Sequence, residues 1–347
     1  MKKNVAIIFG GCSSEYSVSL ESASGVINNI NRKKFNPILI GITKAGDWFH
    51  YIGNAEQIAD DTWAKEKSRP CCILPNRSEH ELLVYGENSI EKIHLDVVLP
   101  ILHGRNGEDG TVQGVCELAQ IPLAGCGVLA SALCMDKDRA HKLVAQAGIC
   151  VPKSFELSEN YNMEHVIWQA TKLGFPLFVK PVKAGSSYGI AKIMHESELE
   201  AAIHNAFRYD NRVIVEENIN GFEVGCAVIG GDHLYLGEID EIELLNGFFD
   251  FTEKYNLTTS KIHVPARVSP EKTMEIKQAA QVVYHTLGCS GFARVDLFLT
   301  PEGKIVFNEV NTIPGFTPHS RFPSMMRAVG MSFENVLTHI LEEALSK

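Results

Sequence analysis

The amino-acid sequence predicts an α/β protein of two or three domains, and three observations support this. Buried strands alternate with helices along the N-terminal third of the chain, which is typical of a parallel α/β layer. Short strands surround a Gly/Ser loop near the middle, and two apolar strands form a hairpin near the C-terminus. The length of 347 residues and the hydrophobic content of 45% allow a large core. We place domain boundaries near residues 135 and 217.

The N-terminal layer begins with Val5–Phe9, a short apolar run that predicts a buried strand. A helix is expected from about Glu15 to Ile30, with Ser13 or Ser14 as its cap. The other elements predicted in this layer are strands at Pro37–Ile42 and Asp96–Leu102 and a helix at Val112–Ala119. Because ligands of such layers bind beyond the carboxyl ends of the strands, the turns at 10–15 and 103–110 should face one crevice.

Two polar residues at this crevice are candidates for substrate binding. Glu15, near the start of a helix, can bind a substrate ammonium, or it can simply complement the helix dipole. His103, at the end of a strand, can contact substrate or be structural. The local sequence leaves both questions open.

The middle of the chain carries a candidate phosphate site. The elements predicted there are helices at 136–147 and 198–208 and strands at 177–180, 190–194 and 213–216. Lys180 and the loop Gly185–Gly189 lie between two of these strands. Backbone N–H groups of a Gly/Ser loop and a lysine cation both bind phosphate oxygens. A plain surface hairpin is the alternative interpretation.

Two further motif matches are weaker. Gly185–Gly189 also fits G-x-S-x-G, the nucleophile elbow of serine hydrolases, but that motif turns from strand into helix, and strand-like alternation follows here. Gly125–Ala130 fits G-x-G-x-x-A, but the strand before it contains Pro122, and no strand ending in an acidic residue follows at the spacing of dinucleotide sites. A junction between a loop and a helix is the better interpretation.

The hairpin near the C-terminus predicts a magnesium site. Strands are expected at Phe292–Leu299 and Lys304–Glu309, joined by the turn 301–303. Side chains two apart on a strand share a face, so Glu309 and Asn311 lie together and the hairpin brings Asp296 beside them. Two carboxylates and an amide oxygen suit Mg²⁺, which keeps waters and phosphates as its other ligands. Solvated acids at strand ends are the alternative.

Residues 247–262 have no clean periodicity and predict a long ordered loop, a candidate lid over an active site. Lys254 and Tyr255 lie in this loop. A lid that closes on phosphate or carboxylate uses such residues. A solvated charge and a packed aromatic ring are the alternative.

Charge and cysteine content narrow the class of protein. The net charge of −10 argues against a nucleic-acid or anionic-membrane partner. The nine cysteines include no C-x-x-C and are interpreted as reduced thiols. The apolar run at the N-terminus is too short for a signal peptide, and no stretch approaches the length of a membrane span. We therefore expect a cytoplasmic protein.

Taken in order, the motifs resemble the D-alanine–D-alanine ligase family of the ATP-grasp superfamily. The matching segments are Phe9-Gly10-Gly11 through Glu15 and Val18-Ser19, His103-Gly104 to Glu108-Asp109-Gly110, Met135-Asp136-Lys137, Lys180-Pro181 to Gly189, Glu253-Lys254-Tyr255, Arg294-Val295-Asp296 and Asn308 to Gly315. The likeness covers essentially the whole chain, and the order of the motifs makes chance agreement unlikely.

The resemblance implies an ATP-grasp fold of three domains. They are an N-terminal open parallel α/β domain at 1–134, a small central α+β domain at 135–217 and a C-terminal α+β catalytic domain at 218–347. ATP would lie between the last two. The residues implied to bind it are Lys137, Lys180, Ser187, Glu216, Ile219, Glu223 (at the ribose), Lys254 and Asn308. Two Mg²⁺ ions, or Mn²⁺ in their place, would be held by Asp296, Glu309 and Asn311.

The resemblance also implies roles around the reacting groups. Glu15 would bind the amino group of the first D-alanine, in a network with Ser186 and Tyr255. Arg294 and the Gly315 N–H would stabilise the oxyanion of the tetrahedral intermediate. The other residues implied at the substrates are His103, Lys254 and Ser320, the last two at the carboxylate of the second substrate.

One position departs from the usual family pattern. Arg321 follows Ser320 where members specific for D-alanine usually have an apolar residue. Together with an intact Lys254-Tyr255 it resembles the D-alanine–D-serine ligases of vancomycin resistance, in which Asp240 and Phe249 would complete the second pocket. A polar pocket removes the cost of roughly 1–3 kcal/mol that an unpaired hydroxyl carries in an apolar one.

The sequence therefore predicts an ATP-dependent ligase that joins D-alanine to D-serine. A D-alanine–D-alanine ligase is the alternative within this class, and a non-catalytic nucleotide-binding regulator is the alternative outside it. Expected partners are D-alanine, D-serine, ATP and a second copy of the chain, with no nucleic acid and no membrane.

Overall fold

The structure is a computed structural model, and it describes residues 1–65, 67–185, 188–244 and 260–347. Five of the predicted site residues, namely Ser186, Ser187, Phe249, Lys254 and Tyr255, lie outside the described residues. The roles predicted for these five residues stay predictions.

The first sheet has seven strands within the described ranges. They are β1 (Lys3–Gly10), β2 (Phe35–Ile42), β3 (Trp48–Tyr51), β4 (Ser68–Ile73), β5 (Glu81–Tyr85), β6 (Ile90–His94) and β7 (Val97–Leu102), in the order β6-β5-β4-β3-β2-β1-β7. Strand β1 runs parallel to β2 and β7, whereas β3 to β6 continue the sheet as antiparallel neighbours. The predicted parallel arrangement is confirmed for β2, β1 and β7, whereas the four antiparallel strands β3 to β6 were not predicted. The antiparallel strands are short and β6 is mostly exposed, so they lack the apolar runs that reveal buried parallel strands.

Helices α1 (Tyr16–Asn29), α2 (Ala55–Ala59) and α3 (Thr111–Ala119) follow strands of this sheet, α1 and α3 as predicted. The predicted serine cap of α1 was wrong, since Glu15 is the N-cap residue and its side chain caps nothing. Ser13 instead accepts a hydrogen bond from Glu15 N at 3.1 Å and donates one to His103 O at 2.7 Å. The Ser13 hydroxyl thus ties the turn after β1 to the end of β7.

The second sheet is small and antiparallel. Its strands are β8 (Ser154–Ser158), β9 (Leu177–Pro181), β10 (Ala191–Ile193) and β11 (Arg212–Glu217), in the order β10-β9-β11-β8. Helices α4 (Val128–Met135) and α5 (Lys137–Gln146) precede β8 in the chain. Helix α6 (Met163–Leu173) connects β8 to β9, and α7 (Leu199–Ala206) lies between β10 and β11. Asp136 caps α5 by accepting a hydrogen bond from Arg139 N at 3.1 Å. Arg212 of β11 donates to Asp136 at 2.6 Å, which joins the start of α5 to this sheet.

The third sheet is also antiparallel. Its strands are β12 (Phe222–Gly230), β13 (Leu234–Leu244), β14 (Ser260–His263), β15 (Phe292–Leu299) and β16 (Ile305–Asn311), in the order β14-β13-β12-β15-β16. The predicted hairpin is confirmed, with Asp296 paired to Glu309 and Arg294 paired to Asn311. The predicted loop at 247–262 was wrong at its end, because 260–262 belong to β14, which pairs with β13. Helices α8 (Pro270–Thr286), α9 (Arg321–Ala328) and α10 (Phe333–Ser346) complete the described chain.

The C-terminal helices pack onto the N-terminal layer and not only onto the third sheet. One apolar core joins β1 and α1 to Phe292, Phe316, Phe322 and helix α10. The rings of these three phenylalanines lie within 5.1 to 5.8 Å of one another. This shared core holds the residues after β16 against the carboxyl end of the first sheet. In the described ranges no helix is long and apolar enough to cross a membrane.

Candidate active site

A cleft of about 280 Å³ opens where the three sheets meet. It is lined by the start of α1, the turn after β7, the start of α5, the loop after β9 and the end of the β15–β16 hairpin. Charged side chains in its wall include Glu15, Glu108, Lys137, Arg294, Glu309 and Arg321. The cleft therefore brings together predicted residues from all three parts of the chain.

The predicted metal residues lie together at one end of β15 and β16. Asn311 Nδ2 donates to Asp296 Oδ2 at 2.8 Å, and Glu309 is directly opposite Asp296 in the strand register. Arg294 holds both oxygens of Asp296, with its Nε and Nη2 at 2.7 Å. Glu309 is partly exposed to the cleft. The hairpin thus places two carboxylates and an amide side by side.

This donor set fits a hard divalent cation. Asp296 and Glu309 carry two negative charges, and Asn311 uses its Nδ2, which leaves the amide oxygen available. Since Arg294 occupies both oxygens of Asp296, a cation at Asp296 would compete with Arg294. Metal binding and the position of the Arg294 guanidinium are therefore coupled.

Of the two lysines predicted to bind phosphates, Lys137 lines the cleft and Lys180 lies in the second sheet. Lys137 Nζ donates to Ala184 O at 2.7 Å and lies 4.0 Å from Glu309 Oε2. Lys180 on β9 is buried and forms an ion pair with Glu216 on β11. The second oxygen of Glu216 is buried and finds no hydrogen-bond donor among the described residues. An exocyclic amino group, such as that of adenine, supplies the donor this oxygen needs.

Two other predicted nucleotide residues flank this region. Asn308 is partly exposed, and its backbone oxygen accepts a hydrogen bond from His141 Nε2 at 2.8 Å. Ile219 is partly exposed just after β11. Burial lowers the pKa of His141, so this imidazole is neutral and the bond to Asn308 O fixes the proton on Nε2. The adenine role of Ile219 stays a prediction.

Glu15 is buried under two glycines from different parts of the chain. A Cβ atom at Gly104 would lie 2.3 Å from Glu15 Oε2, and one at Gly185 would lie 2.6 Å from it. A side chain at either position would have to displace the Glu15 carboxylate from its place in this structure. Glu15 therefore sits where the turn after β7 meets the candidate phosphate loop.

His103 and Glu108, both in the turn after β7, bind the backbone of the segment 313–316 that follows β16. His103 is buried, with Nδ1 2.8 Å from Ile313 O and Nε2 3.2 Å from Ser22 Oγ. Burial lowers the pKa of His103 to about 4. Glu108 accepts from Ile313 N and from Gly104 N, each at 2.9 Å. Desolvation, with the charge of Glu15 adding to it, raises the pKa of Glu108 to about 8.

Ser320 and Arg321 lie just beyond this segment, at the start of α9. Ser320 Oγ accepts from Thr317 N at 3.1 Å, and it lies beside Gly315, whose Cβ would be 3.1 Å away. Arg321 is buried, with Nε and Nη2 donating to the two oxygens of Asp240 at 2.6 and 2.8 Å. Arg321 and Asp240, both predicted at the second pocket, thus form a two-point ion pair.

Arg321 also joins the pocket to the metal residues. Its Nη1 donates to Glu223 Oε1 at 2.6 Å, and its Nη2 lies 3.4 Å from Asp296 Oδ1. Burial alone would lower the pKa of Arg321, but the charges of Asp240, Asp296 and Glu223 raise it, so the guanidinium stays charged. Glu223, predicted at the ribose, contacts Arg321 instead through this oxygen. Its ribose role stays a prediction.

The pair Arg321–Asp240 depends on the absence of a side chain at Gly225. A Cβ there would lie 2.6 Å from Arg321 Nη2 and 2.7 Å from Asp240 Oδ1. Gly225→Ala should therefore lower the thermal unfolding midpoint by several degrees, since overpacking costs about 1–3 kcal/mol. Gly231→Ala, just past the end of the same strand, is the control, because its Cβ meets nothing closer than 3.4 Å. Equal melting temperatures for the two variants would contradict this packing.

Sequence reasoning missed Ser22 and gave no separate role to Glu108. Ser22 could have been found from helical spacing, because Glu15, Val18 and Ser22 recur on one face of α1 and all line the cleft. Glu108 had no local signal, since its partner Ile313 lies 205 residues away.

Two family profiles together match most of the chain. The family profile described as D-ala D-ala ligase N-terminus matches residues 4–126, and that described as D-ala D-ala ligase C-terminus matches residues 143–342. The chain belongs to the D-alanine–D-alanine ligase family. The predicted family and the predicted ATP-grasp fold are both confirmed.

Individual relatives cover nearly the whole chain. The VanG D-Ala:D-Ser ligase from Enterococcus faecalis is 54% identical, with a TM-score of 0.91 over 99% of this chain and 100% of that one. The vancomycin C-type resistance protein VanC1 of Enterococcus gallinarum is 43% identical over 98% of this chain and 97% of its own. A D-alanine–D-alanine ligase of Caldicellulosiruptor bescii is 40% identical over 100% of this chain and 96% of its own. The family thus includes proteins named for different second substrates.

Proposed function

We propose that this ligase activates D-alanine with ATP and joins it to D-serine, releasing ADP and phosphate. The observation that carries the choice of D-serine is Arg321, a buried cation held by Asp240 in the wall of the cleft. The similarity to VanG, named as a D-Ala:D-Ser ligase, supports the same choice.

The first D-alanine would bind at the end of the cleft formed by Glu15. Its ammonium group needs a carboxylate partner, and Glu15 is buried between two loops where water is scarce. Desolvation and the charge of Glu15 raise the pKa of the nearby Glu108 carboxyl to about 8, so Glu108 is mostly neutral near pH 7 and the negative charge at this end comes from Glu15. This end of the cleft therefore suits an amino group.

The phosphates would lie between the lysines and the acidic hairpin. When bound, Mg²⁺ and ATP supply charge neutralisation and the transferable phosphoryl group that activates the D-alanine carboxylate. Lys137 and Lys180 would add positive charge beside the phosphate oxygens, while Asp296, Glu309 and Asn311, which lie together on the hairpin, would hold the cations. The unpaired oxygen of Glu216 would accept the adenine amino group.

The second amine then attacks the activated carboxyl carbon, and negative charge develops on its oxygen. Arg294 and the N–H of Gly315 both line the cleft at the end of the hairpin and would stabilise that oxyanion. In this structure Arg294 donates to both oxygens of Asp296, one of the residues that would hold the cation, so its guanidinium already lies beside the reacting groups.

The D-serine hydroxyl would be bound at Arg321. Nε, Nη1 and Nη2 of Arg321 donate to Asp240 and Glu223, and Nη2 also lies 3.4 Å from Asp296 Oδ1, so the second N–H of Nη1 would be the one to bind the hydroxyl. An apolar residue here would leave the hydroxyl unpaired, at a cost of roughly 1–3 kcal/mol. Ser320, at the start of α9, would bind the carboxylate of the same substrate.

A D-alanine–D-alanine ligase is the second candidate. The similarity to the Caldicellulosiruptor enzyme favours it, since that protein carries this name at 40% identity. In this case Arg321 would serve only to neutralise the acidic cluster of Asp240, Glu223 and Asp296. Dimerisation and a cytoplasmic location remain predictions under either function.

ATP turnover with different second substrates tests the proposal. With ATP and D-alanine present, we expect D-serine to raise the release of ADP and phosphate above that with D-alanine alone or with D-lactate, and mass spectrometry should detect D-Ala-D-Ser. Preference for D-alanine would favour the second candidate. Hydrolysis of a substrate without any nucleotide would overturn the ligase assignment and favour a serine hydrolase with the serine of the G-x-S-x-G match as nucleophile.

A further inference from the structure

The segment 313–316 is held by side chains from outside the third sheet. Glu108 accepts the N–H of Ile313 at 2.9 Å, and His103 Nδ1 lies 2.8 Å from the oxygen of the same residue. Ser22 on α1 accepts the N–H of Phe316 at 3.2 Å. These three bonds span more than 200 residues of sequence and fasten the N-terminal layer to the loop after β16.

The hydrogen atoms in this network have one consistent arrangement. A carbonyl oxygen only accepts, so His103 Nδ1 carries a proton that it donates to Ile313 O. Burial keeps the ring neutral, with a pKa of about 4, so Nε2 accepts the Ser22 hydroxyl proton. The Ser22 oxygen remains free to accept from Phe316 N. The donors on His103, Ser22 and Phe316 therefore each meet an acceptor.

The network brackets Gly315 on both sides. The N–H and the C=O of Ile313 are both hydrogen-bonded. The residue after it is Pro314, whose ring fixes its own φ. On the other side the N–H of Phe316 is bound, and its ring is fully buried against Phe292 and Phe322. The peptide N–H of Gly315 thus lies between two fixed neighbours at the wall of the cleft.

We propose that Ser22, His103 and Glu108 are positioning residues that hold the Gly315 N–H at the oxyanion of the reaction. This inference deepens the proposed function and rests on it. None of the three needs to touch substrate or change protonation state. Both ring nitrogens of His103 are already engaged, so its expected contact with substrate is replaced by this role.

Ser22→Ala tests the proposal with a small change in volume. It removes the acceptor of the Phe316 N–H and the donor to His103 together. Loss of an oxyanion-hole donor lowers kcat by about 10² to 10³, and a loosened donor should lower it less, by about tenfold. We expect KM for ATP and D-alanine to change little, because the bond to the oxyanion forms only in the transition state. Ser24→Ala, half-buried on the same helix, is the matched control.

Amide hydrogen exchange separates the positioning role from the chemistry. Without substrates, the amides of Gly315 and Phe316 should exchange about tenfold faster in Ser22→Ala than in Ser24→Ala, while the two unfolding midpoints stay close. Faster exchange with a lower kcat supports the proposal. Unchanged exchange, or an unchanged kcat in a variant whose exchange is faster, overturns it. Lack of ATP turnover in the wild-type protein would instead sink the proposed function, whatever the exchange rates show.

His103 provides a second test through a conservative variant. The amide nitrogen of Asn occupies nearly the place of imidazole Nδ1, so His103→Asn keeps the donor to Ile313 O, whereas His103→Leu loses it. We expect His103→Asn to retain clearly more of kcat than His103→Leu, with the pH profile of the wild type. Equal losses in the two variants, or a shifted pH profile in His103→Asn, would mean that the imidazole acts on substrate and not on the backbone.

Discussion

Glu309→Gln is expected to lower kcat by at least about a hundredfold, on the scale of losing one electrostatic contact to the transition state. Glu309 faces Lys137 across the cleft and lies beside Asp296, where the phosphates and cations of the reaction would meet. Glutamine keeps the shape of the side chain and one oxygen but removes a full negative charge. The measurement is steady-state turnover of ATP at saturating D-alanine and second substrate, repeated over a series of Mg²⁺ concentrations.

Glu302→Gln is the matched control for this change. Glu302 lies in the exposed turn of the same hairpin, so its replacement should leave kcat within about twofold, as for surface substitutions in general. A Mg²⁺ requirement that rises in Glu309→Gln and not in Glu302→Gln would support the metal assignment. Near-normal turnover of Glu309→Gln at ordinary Mg²⁺ would remove it.

Arg321→Leu should lower kcat/KM for D-serine more than kcat/KM for D-alanine. The ratio of the D-serine value to the D-alanine value should fall by roughly ten- to a hundredfold. A hydrogen bond to a charged group contributes about 1.5–3 kcal/mol, which corresponds to this range. The reason lies in the position of Arg321, which is buried in the wall of the cleft and anchored by Asp240. The measurement is the ratio of the two specificity constants in wild type and variant.

Stability has to be separated from selectivity in this variant. Asp240 is fully buried, and removing its partner leaves a buried charge, which destabilises a protein by about 3–5 kcal/mol. The double variant Arg321→Leu with Asp240→Asn removes that charge and should recover stability without recovering D-serine preference. Arg327→Leu, exposed near the end of the same helix, is the control. An unchanged ratio in the double variant would make the protein a general D-alanine–D-alanine ligase with an incidental arginine.

The hairpin shows how far sequence reasoning reaches. Strand periodicity and a short turn were enough to place Asp296, Glu309 and Asn311 together, because side chains alternate along a strand and a tight turn sets the register. Helix α5 was equally predictable, since Asp136 is a typical cap and the apolar spacing follows it. Both signals lie within a few residues of the feature that they predict.

The tertiary structure alone decided the contacts made over long distances. Arg321 meets Asp240 and Glu223 across 81 and 98 residues, and His103 meets Ile313 across 210. Such contacts depend on how three sheets pack around one cleft, and no local spacing records that packing. The antiparallel strands β3 to β6 were also not predicted, because they are short and partly exposed and so carry little apolar pattern. The sequence by itself thus determined the family, the fold class and the acidic hairpin. Only the tertiary structure decided what holds Arg321, Asp296 and the segment 313–316 in place, because burial and partner choice arise when distant elements meet.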